Sequence, residues 1–97
     1  MQQYEELRDE LAAIKPALEA EYGVAELGIF GSYVRGEQTE DSDLDVLVEF
    51  DEPVSLFDLV RLENDLRERL GVEVDLVTRR SLKPRVADRV DDDVVFV

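Results

Sequence analysis

Apolar positions over residues 3–21 recur at helical spacing. Tyr4, Leu7, Leu11, Ile14 and Leu18 fall three or four apart with charged residues between them, the pattern of a helix with one buried stripe. Pro16 lacks an amide donor and is expected to kink or break that helix, and Gly23 to end it. Ala25 to Phe30 is a short apolar run that predicts a buried strand. Tyr33 to Gly36 predicts a single helical turn, and the polar stretch from Glu37 to Ser42 a loop. From Leu44 to Phe50 the pattern alternates. Leu44, Val46, Val48 and Phe50 form one face and Asp45, Leu47 and Glu49 the other, as in a strand.

Pro53 closes that strand and Ser55 is placed to cap a helix over Leu56–Leu70, which Gly71 stops. Val72 to Thr78 predicts a third strand, with Val72, Val74 and Leu76 opposite Glu73, Asp75 and Val77. Ser81 is the expected cap of a last helix from Leu82 to about Val90, with Pro84 in its first turn. Asp91 to Asp93 reads as a charged break, and Val94 to Val97 as a final edge strand. The order α-β-turn-β-α-β-α-β predicts an α/β (α+β) fold, a small mixed sheet of three to four strands with helices packed on it. With no linker, repeat or low-complexity segment, residues 1–97 are expected to form one domain.

Charge changes the picture. There are 25 acidic and 11 basic residues, a net charge of −14, and Lys15 and Lys83 are the only lysines. Such a field repels phosphate backbones, so direct nucleic-acid binding is not expected, and a nucleotide site needs local cations or bound metal. The chain has neither cysteine nor histidine. That excludes disulfides, thiol nucleophiles, zinc thiolates and histidine triads, and leaves carboxylates to carry acid–base or metal chemistry. A polar N-terminus and the lack of a long apolar run point to the cytoplasm rather than a membrane.

Against that background three features stand out. Gly31-Ser32 lies where a strand hands over to a helical turn, where free amides, a close backbone and a hydroxyl suit phosphate; an ordinary turn would look the same. Asp43 and Asp45, two apart around the start of a strand, share a face. Their repulsion is relieved by hard divalent cations, or else the pair is a solvated acidic edge. Asp75, in Val74-Asp75-Leu76, would complete a three-carboxylate cluster if its strand lies beside the second, and could then take a proton from an attacking hydroxyl. Otherwise it faces solvent with Glu73. Arg35, three residues after Ser32, is within reach of a phosphate at that turn, or pairs with Glu37 or Asp41.

The joint spacing is more specific than its parts. Gly31-Ser32, ten residues, then Asp43-Leu44-Asp45 resembles the G-S-x10-D-x-D pattern of the DNA polymerase β-like nucleotidyltransferase superfamily. The string from Gly31 to Val48 is similar to its minimal nucleotidyltransferase (MNT) branch, with Asp75 at the third acidic position. The resemblance covers essentially the whole chain. It implies a polymerase β-like core in which Gly31 and Ser32 hold nucleotide phosphates and Asp43, Asp45 and Asp75 bind two Mg²⁺ ions. Asp75 is then also the base, and Arg35 and Ser42 are further motif residues. It also implies ATP as donor and, as in many small MNT proteins, a role as antitoxin to a HEPN-domain ribonuclease, AMP being transferred to a toxin tyrosine. Neutralisation by binding alone, or transfer to a small-molecule hydroxyl, are the competing expectations; the short chain disfavours the latter.

The acid excess and scarcity of lysine also suggest adaptation to a high-salt cytoplasm, where screening over a few ångströms weakens self-repulsion. Melting temperature is then expected to climb from low to molar KCl; a flat thermal-denaturation series would sink this idea.

Overall fold

In a computed structural model, described here for residues 4–97, the elements run α1 (Tyr4–Tyr22), β1 (Val24–Phe30), α2 (Ser32–Arg35), β2 (Leu44–Phe50), α3 (Leu56–Leu70), β3 (Val74–Thr78), a 3₁₀ turn (Arg79–Ser81), α4 (Pro84–Asp93) and β4 (Val95–Phe96). The sheet has the order β3-β2-β1-β4. β1 is antiparallel to β2 and β4, whereas β3 runs parallel to β2. The α3 crossover makes the parallel pair possible, because parallel strands cannot be joined by a tight turn.

The apolar stripes meet as their periodicity requires. Leu7, Leu11 and Leu18 of α1 and Leu62, Leu66 and Leu70 of α3 pack with Leu27, Ile29, Leu44, Val46, Val48 and Val74 on one face of the sheet. A bulge in β1 between Val24 and Glu26 lets Val24 and Leu27, three residues apart, both face this core. Ser55 caps α3 through a reciprocal pair of bonds with Asp58, and Gly71 ends it in the left-handed conformation. β3 is an edge strand, blunted in part because Glu63 accepts a hydrogen bond from the Leu76 amide at 3.0 Å.

The opposite face is covered differently. Leu47 and Val90 are buried but lie outside the main core. Gly28 pairs with Leu47, and a Cβ at Gly28 would meet Val94 Cγ2 at 2.7 Å and Phe96 Cδ1 at 3.2 Å. The end of α4 and β4 therefore close against this second face, and β1 needs glycine there to admit them.

Several boundaries depart from expectation. The start of the first helix at Gln3 lies outside the described residues, and α1 runs unbroken through Pro16 to Tyr22. Burial of Leu18 beyond the proline offsets the single lost bond. β3 begins two residues late, at Val74, because Val72 and Glu73 still belong to the turn leaving α3. Ser81 does not cap α4. It lies in the 3₁₀ turn capped by Thr78, and α4 starts at Pro84 after Lys83. Asp91 to Asp93 are not a break but the last turn of α4, held by ion pairs from outside the helix.

Substituting Gly28→Val is expected to destabilise the protein by about 1–3 kcal/mol through overpacking. Amide exchange should speed up selectively in β4; unaltered β4 protection would contradict the close approach.

Candidate functional site

β1 and β2 run antiparallel and β3 lies parallel to β2, so the end of β1 meets the beginnings of β2 and β3. Phe30 pairs with Asp45, and Asp45 pairs with Asp75. Residues opposed in a ladder point to the same side, so the two carboxylates stand on the face away from the helical core. Gly31 follows at once, with φ 83° and ψ −151°. A Cβ at Gly31 would collide with the Asp45 carboxylate. Glycine is thus required twice, by its backbone angles and by Asp45 against it. Ser32 opens α2, half-buried, and its hydroxyl makes no hydrogen bond among the described residues.

The sequence-derived candidates do not all arrive together. Asp45 is half-buried, Asp75 is exposed on the edge strand, and Asp43 is exposed just ahead of β2 where no ladder fixes it. Among the described residues no three acidic side chains converge as a finished metal cage. They do share one field. Burial, then the charges of Asp75 and Asp43, push the Asp45 carboxyl up to about 6, and only Arg35 opposes them. Arg35 serves the site electrostatically, but its hydrogen bonds go to Glu37 at 3.0 Å and to Asp93 of α4. Of its two alternative partners, Glu37 is taken and Asp41 is not. Ser42 closes the loop before β2: its hydroxyl accepts from the Thr39 amide at 2.9 Å and its own amide donates to the Thr39 carbonyl at 3.1 Å. That places Ser42 in loop geometry rather than at the Gly31-Ser32 turn.

A hollow of about 430 Å³ flanks the site, lined by Tyr33, Glu40 to Asp43 and Gly71 to Glu73. Its wall is acidic. A second hollow of about 390 Å³, beside Glu49, Arg79 and Arg80, lies at the other end of β2 and contains none of the candidate residues. Asp93 was not visible as a site neighbour from sequence, since nothing in a run of three aspartates tells which one folds back on Arg35.

Can this set hold a divalent cation? The ligands are oxygens, which hard cations prefer. One of them is half-buried among like charges, a conflict that a cation relieves. The donor chemistry therefore suits a hard divalent cation, with Asp45 and Asp75 adjacent, and Asp43 would have to close in to complete the set. A glycine-serine turn abutting paired carboxylates at the end of a mixed sheet is an arrangement that can serve phosphoryl transfer once a cation is bound.

Residues 11–97 match the nucleotidyltransferase domain family, and the chain belongs to that family. Over 93 residues it is 50% identical to protein adenylyltransferase MntA of Thermococcus cleftensis, covering 96% of this chain and 94% of the relative. A solved structure assigned to the minimal nucleotidyltransferases superposes with a TM-score of 0.82 at 41% identity, covering 97% of this chain and 95% of the other. A toxin–antitoxin crystal structure with AMP-PNP follows at a TM-score of 0.74 and 27% identity, covering 91% of this chain and 71% of that one. The fold is accordingly that of the polymerase β-like nucleotidyltransferase core.

Asp45 carries a stability signature. Its folded carboxyl titrates near 6 rather than at the ordinary 3.8, so the folded state binds the proton more tightly than the unfolded one. The resulting stabilisation is present below about pH 4 and is lost as pH rises through 6. In chelator, Asp45→Asn should flatten the fall in stability between pH 4 and 6 and raise the melting temperature at pH 7.5. A variant that melts no higher than the parent at pH 7.5 would refute the charge conflict.

Proposed function

We propose that the chain is a Mg²⁺-dependent protein adenylyltransferase. It moves AMP from ATP to a hydroxyl of a partner protein, a tyrosine on a HEPN-domain ribonuclease toxin, and so acts as that toxin's antitoxin in the cytoplasm. The observation that carries this reading is the in-register pairing of Asp45 with Asp75 directly against the Gly31-Ser32 turn. The match to an adenylyltransferase at 50% identity supports the transferred group.

In this reading Gly31 and Ser32 receive the phosphates, through the first amides of α2 and the free Ser32 hydroxyl. Asp43, Asp45 and Asp75 hold two Mg²⁺ ions, which when bound neutralise phosphate charge and favour the attacking oxygen. Asp75, solvent-accessible at the sheet edge, accepts the tyrosine proton as the oxygen bonds to the α-phosphorus. The bond from that phosphorus to the β-phosphate oxygen breaks and pyrophosphate leaves. Arg35 supplies the positive charge nearest Asp45. Ser42 acts at one remove, by fixing the loop that carries Asp43.

A partner must also be bound. Leu56, Phe57 and Val60 on α3 are 74%, 82% and 49% exposed, an apolar surface of the kind that partner proteins cover. This patch favours, as a second reading, neutralisation by binding alone. The two separate in one assay. With α-labelled ATP, Mg²⁺ and the co-expressed toxin, label is expected on the toxin, and Asp43→Asn or Asp45→Asn should reduce it by at least roughly 100-fold. Retained labelling in both variants defeats the metal assignment. Toxin neutralisation that survives alanine at Asp43, Asp45 and Asp75 together establishes the binding-only reading instead.

A further inference from the structure

The charges of α4 oppose its dipole at both ends. Lys83 and Arg85 flank its start without an acid in the first turn, and Asp91, Asp92 and Asp93 end it without a base in the last. Negative charge at the carbonyl end of a helix is unfavourable, so this turn depends on cations from elsewhere. Two arginines supply them. Arg79 Nη2 binds Asp91 Oδ1 at 2.8 Å, and Arg35 Nη1 binds Asp93 Oδ2.

The two arginines differ in what else they touch. The other partner of Arg79 is Glu49, toward the far end of β2 from Asp45. Arg35 gives its Nε to Glu37, and its charge reaches Asp45. Its side chain is 45% exposed, and an arginine so placed has much rotamer freedom to lose on binding an anion. Glu37 and Asp93 restrain the guanidinium through Nε and Nη1. Nη2 is then left without a partner among the described residues, on a side chain one helical turn along from Ser32.

We propose that Asp93 is a positioning residue for nucleotide phosphate, acting through Arg35, whose guanidinium it pre-orders beside the Gly31-Ser32 turn. This rests on the nucleotide-site reading above. The structural coincidence behind it is specific: of the two arginines that hold the last turn of α4, Arg35 is the one whose charge also acts on Asp45.

The test is binding of a non-hydrolysable ATP analogue with Mg²⁺ to the full chain by calorimetry, with melting curves confirming that each variant folds. Asp93→Asn is expected to raise Kd roughly two- to fivefold, the scale of an exposed ion pair, and Asp93→Glu to restore it in large part. In an Arg35→Ala background, Asp93→Asn should add nothing. Asp91→Asn is the matched control: it loosens the same helical turn through Arg79 and should leave Kd unchanged. Equal weakening by Asp91→Asn reduces Asp93 to general support of α4 and overturns the proposal. Unchanged or tighter binding in Asp93→Asn also overturns it, the tighter case making Asp93 a competitor for Arg35. Absence of analogue binding by the parent chain sinks the phosphate-site reading as well, whereas binding that ignores Asp93 sinks this proposal alone.

Discussion

The parallel pairing of β3 with β2 is the constraint on which the site depends. It sets Asp75 beside Asp45 in register, and it exists only because α3 carries the chain from the end of β2 back to its beginning. The α3 crossover is secured by the Ser55–Asp58 capping box at its start, Gly71 at its end and an apolar stripe against the sheet. A slip of one residue in that register would turn Asp75 toward the helical core, where no buried polar or charged side chain is found among the described residues. The same hydrophobic patterning that stabilises the domain thus fixes which acids meet.

The two faces of the sheet divide the work. One carries Leu44, Val46 and Val48 into the main core. The other carries Asp45, Leu47 and Glu49 along β2, and these three residues have separate fates. Leu47 is buried with Val90 outside the main core, Glu49 is paired with Arg79, and Asp45 is left half-buried at the open end. The cover provided by the end of α4 is therefore partial, and Asp45 lies where burial and access overlap. Full cover would keep the carboxyl neutral and away from substrate, and full exposure would remove the burial that shifts its pKa.

Much of this was legible in the sequence because it rests on periodicity and spacing. The limits of α3 and the span of β2 follow from an apolar stripe and a period-two alternation, whereas the place of Asp75 beside Asp45 was conditional on β3 pairing with β2. What was not legible depends on contacts distant in sequence. The bulge that turns Val24 inward has no local signal. The run Asp91-Asp92-Asp93 reads locally as a break, but it is helix, with Arg79 and Arg35, 12 and 58 residues away from their partners, reaching its carboxylates. By spacing Ser42 is a motif residue, and its hydrogen bonds to Thr39 give it a loop role that spacing cannot reveal. That Asp43 stops short of the other two acids was also beyond the pattern, since a residue ahead of a strand is not held by the strand's register.

Arginine placement resolves the tension between the chain's charge and the phosphate chemistry of its family. In a chain of net charge −14, a cation free to wander would be captured by the nearest surface acid, and its value to a site would be lost. Arg67 and Arg69 are used in that way, each bonded along α3 to an acid four residues earlier and paired with a second acid outside that helix, Glu73 and Glu21. Arg35 is also paired with two acids, Glu37 after α2 and Asp93 at the end of α4, but its charge acts on Asp45 as well. Such a pairing restrains direction as well as charge. The cost is a weaker net positive potential at the turn, because two carboxylates accompany the guanidinium. A bound divalent cation would supply the charge that Arg35 alone cannot, and metal and arginine would then be complementary, the one in field strength and the other in orientation.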